Sequence, residues 1–172
     1  MASLTAPSGE GEVYRLKLPV IILVPFFALI LQAFLPLYLN FVTLLDLPLL
    51  VILYFALTRR SQVFGMLLGA VVGMAQDSLS RGPIGLFGTA KTVVGYVTSS
   101  VSTRVDTESL GMRFLTIFGF YCFHFIHVFL FESLLLQRPV ELAPGSALMR
   151  ALVNAFVGVL LFRLLDRFRE PA

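Results

Sequence analysis

Charge is scarce in this chain. Asp, Glu, Lys and Arg make up 13% of its 172 residues, roughly half the share of an ordinary soluble domain. Cysteine is almost absent: Cys122 stands alone inside an apolar stretch, which excludes a disulfide framework and a cysteine metal set. The signatures of several chemistries are missing as well. There is no His-Glu-x-x-His zinc motif, no Gly-x-Ser-x-Gly elbow and no phosphate-binding P-loop. The net charge of +3 comes from arginines placed singly or in pairs, with no basic patch interleaved with aromatics, so no nucleic acid is expected as a partner. No polar stretch is long enough to fold into a soluble catalytic domain. The expectation is a chain that is not an enzyme, with no catalytic residues, no metal and no cofactor.

What the chain has in abundance is oil. Hydrophobic residues make up 58% and the mean hydropathy is +0.90, more apolar surface than a single small core can hide. A bilayer accepts it, at roughly 20 apolar residues per helical crossing. Residues 1–14 are small and polar at first and read as a disordered cytoplasmic tail. Apolar runs then cover 18–39, 40–57, 63–75, 84–101, 110–136 and 142–165. The first is too long for a signal peptide and no cleavage site follows it, so it is a retained helix. The fold class expected is all-α: a polytopic membrane bundle of about six transmembrane helices forming one domain over 15–169.

Lysine and arginine set the direction, because they favour the cytoplasmic side. With the N-terminus inside, Arg15, Lys17, Arg59, Arg60, Arg104, Arg113, Arg163, Arg167 and Arg169 fall on the cytoplasmic side, nine of the thirteen basic residues. Arg81, Lys91, Arg138 and Arg150 are left for the outer half. Both termini are therefore expected in the cytoplasm.

The third run carries Gly65, Gly69 and Gly73 on one helical face. Such a stripe lets a neighbouring helix approach closely, either within the bundle or as a partner's helix. The loop after it holds Asp77, Ser78 and Ser80, whose side chains can bond backbone N–H groups of a turn. Pro83 suits the first turn of a following helix, and Gly85 permits a tight turn. This segment is either purely architectural or a turn that also lines a cavity. Asp77, Ser78 and Ser80 have no histidine near them in sequence, and a serine hydrolase borrowing His124 or His127 would need a geometry that only the fold defines.

These residues carry a resemblance. The run Gly65-x3-Gly69-x3-Gly73-x3-Asp77-x-Leu79-Ser80-x2-Pro83-x-Gly85-Leu86, followed by Gly95-Tyr96, is similar to the rod-shape-determining MreD family. The resemblance extends to length, span number and the placement of charge. It implies a multi-pass protein of the bacterial inner (cytoplasmic) membrane that acts as a scaffold of the cell-elongation complex, helping to control cell shape and lateral peptidoglycan synthesis. It also implies partners: the single-span protein MreC and, directly or indirectly, the actin-like MreB and the lateral-wall glycosyltransferase and transpeptidase. The implied fold looks like the substrate-binding subunits of energy-coupling-factor transporters. On this reading the helix-packing surface for MreC is the Gly65, Gly69, Gly73 face or the aromatic stripe of the fifth run, which includes Phe118, Tyr121 and Phe125.

Ionisable residues at membrane depth are costly and usually face the bundle interior. Lys91 can snorkel to the outer interface, pair with Glu132 or meet an anionic lipid head group. Arg150 and Asn154 share one face of the sixth run. Asp77, Lys91, Glu132, Arg150 and Asn154 are thus candidates for a pocket holding a ligand or membrane lipid. His124 and His127 are also neighbours on one face, but Glu132 points away from them, so interhelical hydrogen bonds are expected there. The alternative function is a membrane subunit that binds a small molecule or lipid-linked precursor, like an energy-coupling-factor substrate-binding subunit. Those subunits typically dock through Ala-x3-Ala on the first helix; here Ala28 and Ala33 are five apart.

Overall fold

Prolines and a few polar caps decide where each apolar run becomes helix. In the computed structural model, which describes residues 15–16, 18–80, 82–104, 109–137 and 144–170, α1 runs Leu18–Phe34 and then tightens into a 3-10 turn, Leu35–Leu37, at Pro36. A second 3-10 segment, Asn40–Leu44, precedes α2, Leu47–Arg59. The expected run 40–57 is therefore not one helix. Asp46 starts α2 by accepting the Leu49 N–H at 3.0 Å, with Pro48 in the first turn. Arg60, at a left-handed φ of 52°, turns the chain into α3, Gln62–Leu79, which Ser61 caps. The fourth helix, α4, is Leu86–Val101. Ser109 caps α5, Leu110–Leu130, which ends in a π turn, Phe131–Leu135. The last helix, α6, is Pro144–Asp166. Two short strands, β1 (Arg15–Leu16) and β2 (Arg169–Glu170), pair antiparallel and tie the two ends of the described chain together. The tail expected over 1–14, and Lys17, Arg81 and Arg138, lie outside the described residues.

Among the described residues, four segments are long and apolar enough to cross a bilayer: Leu18–Leu37, Gln62–Leu79, Leu110–Leu135 and Pro144–Asp166. They mark the chain as a helical membrane protein. The outward faces of these helices agree, with Phe26 and Phe27 on α1, Val71 on α3, Ile126 on α5 and Phe156 on α6 all exposed. At 13 and 16 residues, α2 and α4 are shorter. Every residue of α2 from Pro48 to Thr58 is buried, because α1, α3, α4, α5 and α6 all pack around it. Tyr54 on α2 meets the Phe162 ring of α6 edge-on at 5.2 Å.

Both surfaces expected to receive a partner helix are used inside the chain. The Gly65, Gly69 and Gly73 face is buried against α4: a Cβ on these residues would overlap the backbone carbonyls of Gly95, Lys91 and Phe87 respectively. Only hydrogen at these positions allows the two backbones to touch. The aromatic stripe of α5 also turns inward. Tyr121 is buried, and Phe118 and Phe125 pack on the same core. The outer face of α5 carries Leu115, Ile126 and Leu130 instead.

Candidate functional site

The α3–α4 hairpin is locked at its turn. Asp77, buried at the end of α3, accepts three backbone N–H groups: Gly85 and Gly88 on Oδ2 and Phe87 on Oδ1, each at 2.9 Å. These are the N–H groups that the start of α4 leaves without helical partners. The Ser80 hydroxyl donates to the Asp77 carbonyl and the Ser78 hydroxyl to the Met74 carbonyl. Gly85 sits at φ 97°, the left-handed region where a side chain is strained. Pro83 lies ahead of the helix rather than in its first turn, since α4 begins only at Leu86. Asp77 has both carboxylate oxygens engaged and serves the turn itself, while Gln76, Leu79 and Ser80 of the same segment also line a cavity of about 270 Å³ against α1.

A second polar cluster holds the irregular segment before α2. Gln32 of α1 donates to the Leu45 carbonyl at 3.1 Å and accepts the Leu47 N–H at 3.0 Å. Asn154 of α6, fully buried, accepts the Asp46 N–H at 2.8 Å and donates to the Leu44 carbonyl at 2.7 Å. Lys91 of α4 donates from Nζ to Asp46 Oδ2 at 2.5 Å and lies over the Phe87 ring at 5.2 Å. Lys91 has no exposed surface, so it neither snorkels nor pairs with Glu132. Its partner is the cap of α2. Three helices thus converge on residues 44–47, the joint between the 3-10 segment and α2, whose backbone groups would otherwise lie unpaired at membrane depth.

Above this cluster, at the end of the bundle opposite the paired termini, opens a cleft of about 370 Å³. One wall is aromatic, from Phe87 of α4 and the α5 face Tyr121, His124 and Phe125; the other is polar, with Asp46, Gln76 and Arg150. Arg150 donates from Nη1 to the Thr43 carbonyl at 3.2 Å. Of the five residues expected to form a pocket, Arg150 alone lines the cleft. Lys91 and Asn154 lie behind its wall as supports, Asp77 is committed to the α4 backbone, and Glu132 is on the π turn of α5, away from the lining.

His124 does not make the interhelical hydrogen bond expected of it. Its ring stacks on Phe87, with centroids 6.3 Å apart and planes 10° from parallel. His124 Nε2 is buried and no group among the described residues bonds to it; the same holds for Gln76 Oε1 of α3. A buried polar atom without a partner costs about 1–3 kcal/mol, so two on one cleft need an account beyond packing.

No protein-family model, curated protein or solved structure matches this chain. The reading of the cleft therefore rests on its own geometry. The sequence hides Gln32 and Asp46 as cleft residues because each is a lone polar group in an apolar run, and Gln76 because it reads as part of the polar turn with Asp77 and Ser78. The legible signal was the spacing of Tyr121, His124, Phe125 and Val128, which puts a mixed polar and aromatic face on one side of α5.

Proposed function

We propose that the chain is a non-enzymatic scaffold of the bacterial cell-elongation machinery, an MreD-like protein of the inner membrane with both termini in the cytoplasm. The observation that carries this reading is the α3–α4 hairpin. The residues on which the family resemblance stands are assembled there into one unit: a glycine seam (Gly65, Gly69, Gly73), its carboxylate lock (Asp77) and its left-handed turn (Gly85). The orientation is supported by the arginines. Arg59, Arg60, Arg104, Arg113, Arg163 and Arg167 all lie at the end where β1 pairs with β2, and Arg113 meets Asp166 there at 2.6 Å. On this reading α2 and α4 complete a set of six crossings, and the chain binds MreC and, through it or directly, MreB and the wall synthases.

Co-expression with MreC tests this. A stable complex in mild detergent, together with loss of rod shape when the chain is depleted, is the expected result. Independent migration of the two proteins and an unchanged cell shape would refute the scaffold reading. A second reading, a membrane subunit that binds a small molecule or lipid-linked precursor, is favoured by one specific feature: the half-polar cleft with two unpartnered buried atoms.

A further inference from the structure

We propose that the cleft binds a small organic anion, which rests on the second reading above and specifies its ligand. The carboxylate or phosphate sits on Arg150, an N–H or O–H group of the ligand meets Gln76 Oε1 and His124 Nε2, and an apolar ring or short chain lies on Phe87 and Tyr121.

Charge decides for an anion. Asp46 faces the cleft, yet its carboxylate is answered from behind by Lys91, which has no exposed surface and cannot itself reach a ligand. Among the described residues the other ion pair is Arg113–Asp166, at the far end of the bundle, so no carboxylate pairs with Arg150. Its guanidinium has five N–H donors, and its bonds to the Thr43 carbonyl and the Tyr121 hydroxyl leave other N–H groups of the planar fork for a carboxylate or phosphate. A buried acceptor, Gln76 Oε1, decides for a donor on the ligand. Gln76 Oε1 can only accept, and His124 Nε2 lies on the same lining without a partner. The volume of about 370 Å³ falls at the lower end of small-molecule sites, roughly 300–1,000 Å³. The apolar grooves on either side of α1 are comparable in size but line up almost no polar group to orient a ligand.

Either a free anion or the phosphate of an anionic lipid supplies this chemistry, and two experimental arms separate them. In the first, the full chain in nanodiscs of phosphatidylcholine is titrated with phenyl phosphate and, as a neutral control, phenyl β-glucoside, followed by saturation-transfer NMR. In the second, native mass spectrometry measures retention of phosphatidylglycerol over phosphatidylcholine. The expected result is saturable, Arg150-dependent binding in at least one arm. It should weaken about tenfold or more in Arg150→Gln, recover partly in Arg150→Lys, and vanish in Val128→Phe, which fills the cleft from α5 while leaving its polar groups in place. Phenyl phosphate binding identifies a free anion; selective phosphatidylglycerol retention with phenyl phosphate silent identifies a head group. Should Arg150→Gln fail to fold, Val128→Phe with the phosphate-to-glucoside ratio decides. Equal binding of glucoside and phosphate, blocked by Val128→Phe but indifferent to Arg150, overturns the anion and leaves the cleft reading standing. No binding in either arm, or binding that Val128→Phe does not touch, overturns both.

Discussion

Lys91 and Asp46, 45 positions apart in the chain, meet at 2.5 Å with the lysine entirely shielded from the surroundings. The carboxylate does two things at once, starting α2 through Leu49 and neutralising α4 through Lys91. Removing one member of such a pair strands a buried charge, a loss of about 3–5 kcal/mol. Lys91→Met should therefore lower the unfolding midpoint in detergent sharply. Adding Asp46→Asn, which keeps an acceptor for the Leu49 N–H, should restore much of the loss. Equal destabilisation of single and double variants would show that the ion pair is not what matters there.

The Asp77 lock should be as sensitive. Its three bonds belong to the charge-assisted class worth roughly 1.5–3 kcal/mol each. Asp77→Ala is expected to cost at least about 3 kcal/mol and to abolish hydrogen-exchange protection of the Gly85, Phe87 and Gly88 amides. Gly85→Ala should cost about 1–3 kcal/mol through its left-handed backbone alone, leaving those amides protected.

Glycines on different helices should respond in opposite directions. Gly69→Ala places a methyl on the Lys91 carbonyl of α4, and overpacking of this kind typically costs 1–3 kcal/mol, at about 2 kcal/mol here. Gly119→Ala on α5 meets nothing within 4 Å and should stabilise by about 0.5–1 kcal/mol through helix propensity. A glycine seam that tolerated alanine at Gly69 would contradict the packing described.

Topology can be read by cysteine labelling in a Cys122→Ser background. Tyr38→Cys and Ile84→Cys sit at exposed positions at one end of the bundle, Gln62→Cys and Thr103→Cys at the other. A membrane-impermeant maleimide added to whole cells should modify the first pair, and reach the second only after the inner membrane is opened. Labelling of Gln62→Cys from outside would mean that α2 does not cross.

Much of the helical layout was legible because hydropathy sums local transfer energies; the caps Ser61, Ser109 and Asp46 emerge only from the structure. The role of Asp77 was legible because its partners are near in the chain: the backbone N–H donors it accepts lie eight to eleven residues on. What sequence did not reveal is who meets whom. Lys91 had Glu132 as a conceivable partner at the same depth, and only the placement of α2 at the centre brings Asp46 to it instead. The glycine seam was visible, but whether α4 or a foreign helix fills it depends on helix order. The cleft draws on α1, α3, α4, α5, α6 and the segment before α2, with no two of its polar walls adjacent in the chain.

The burial of α2 bears on how the molecule is made. At 13 residues it is about 20 Å long, short of the roughly 30 Å of hydrocarbon a free-standing span must match. Enclosed by its neighbours, it is released from that demand, but it also lacks a stable resting place until they arrive. During synthesis α2 emerges before four of the five helices that enclose it. The order of events is thereby constrained: insertion of the later helices has to precede the final seating of an earlier one.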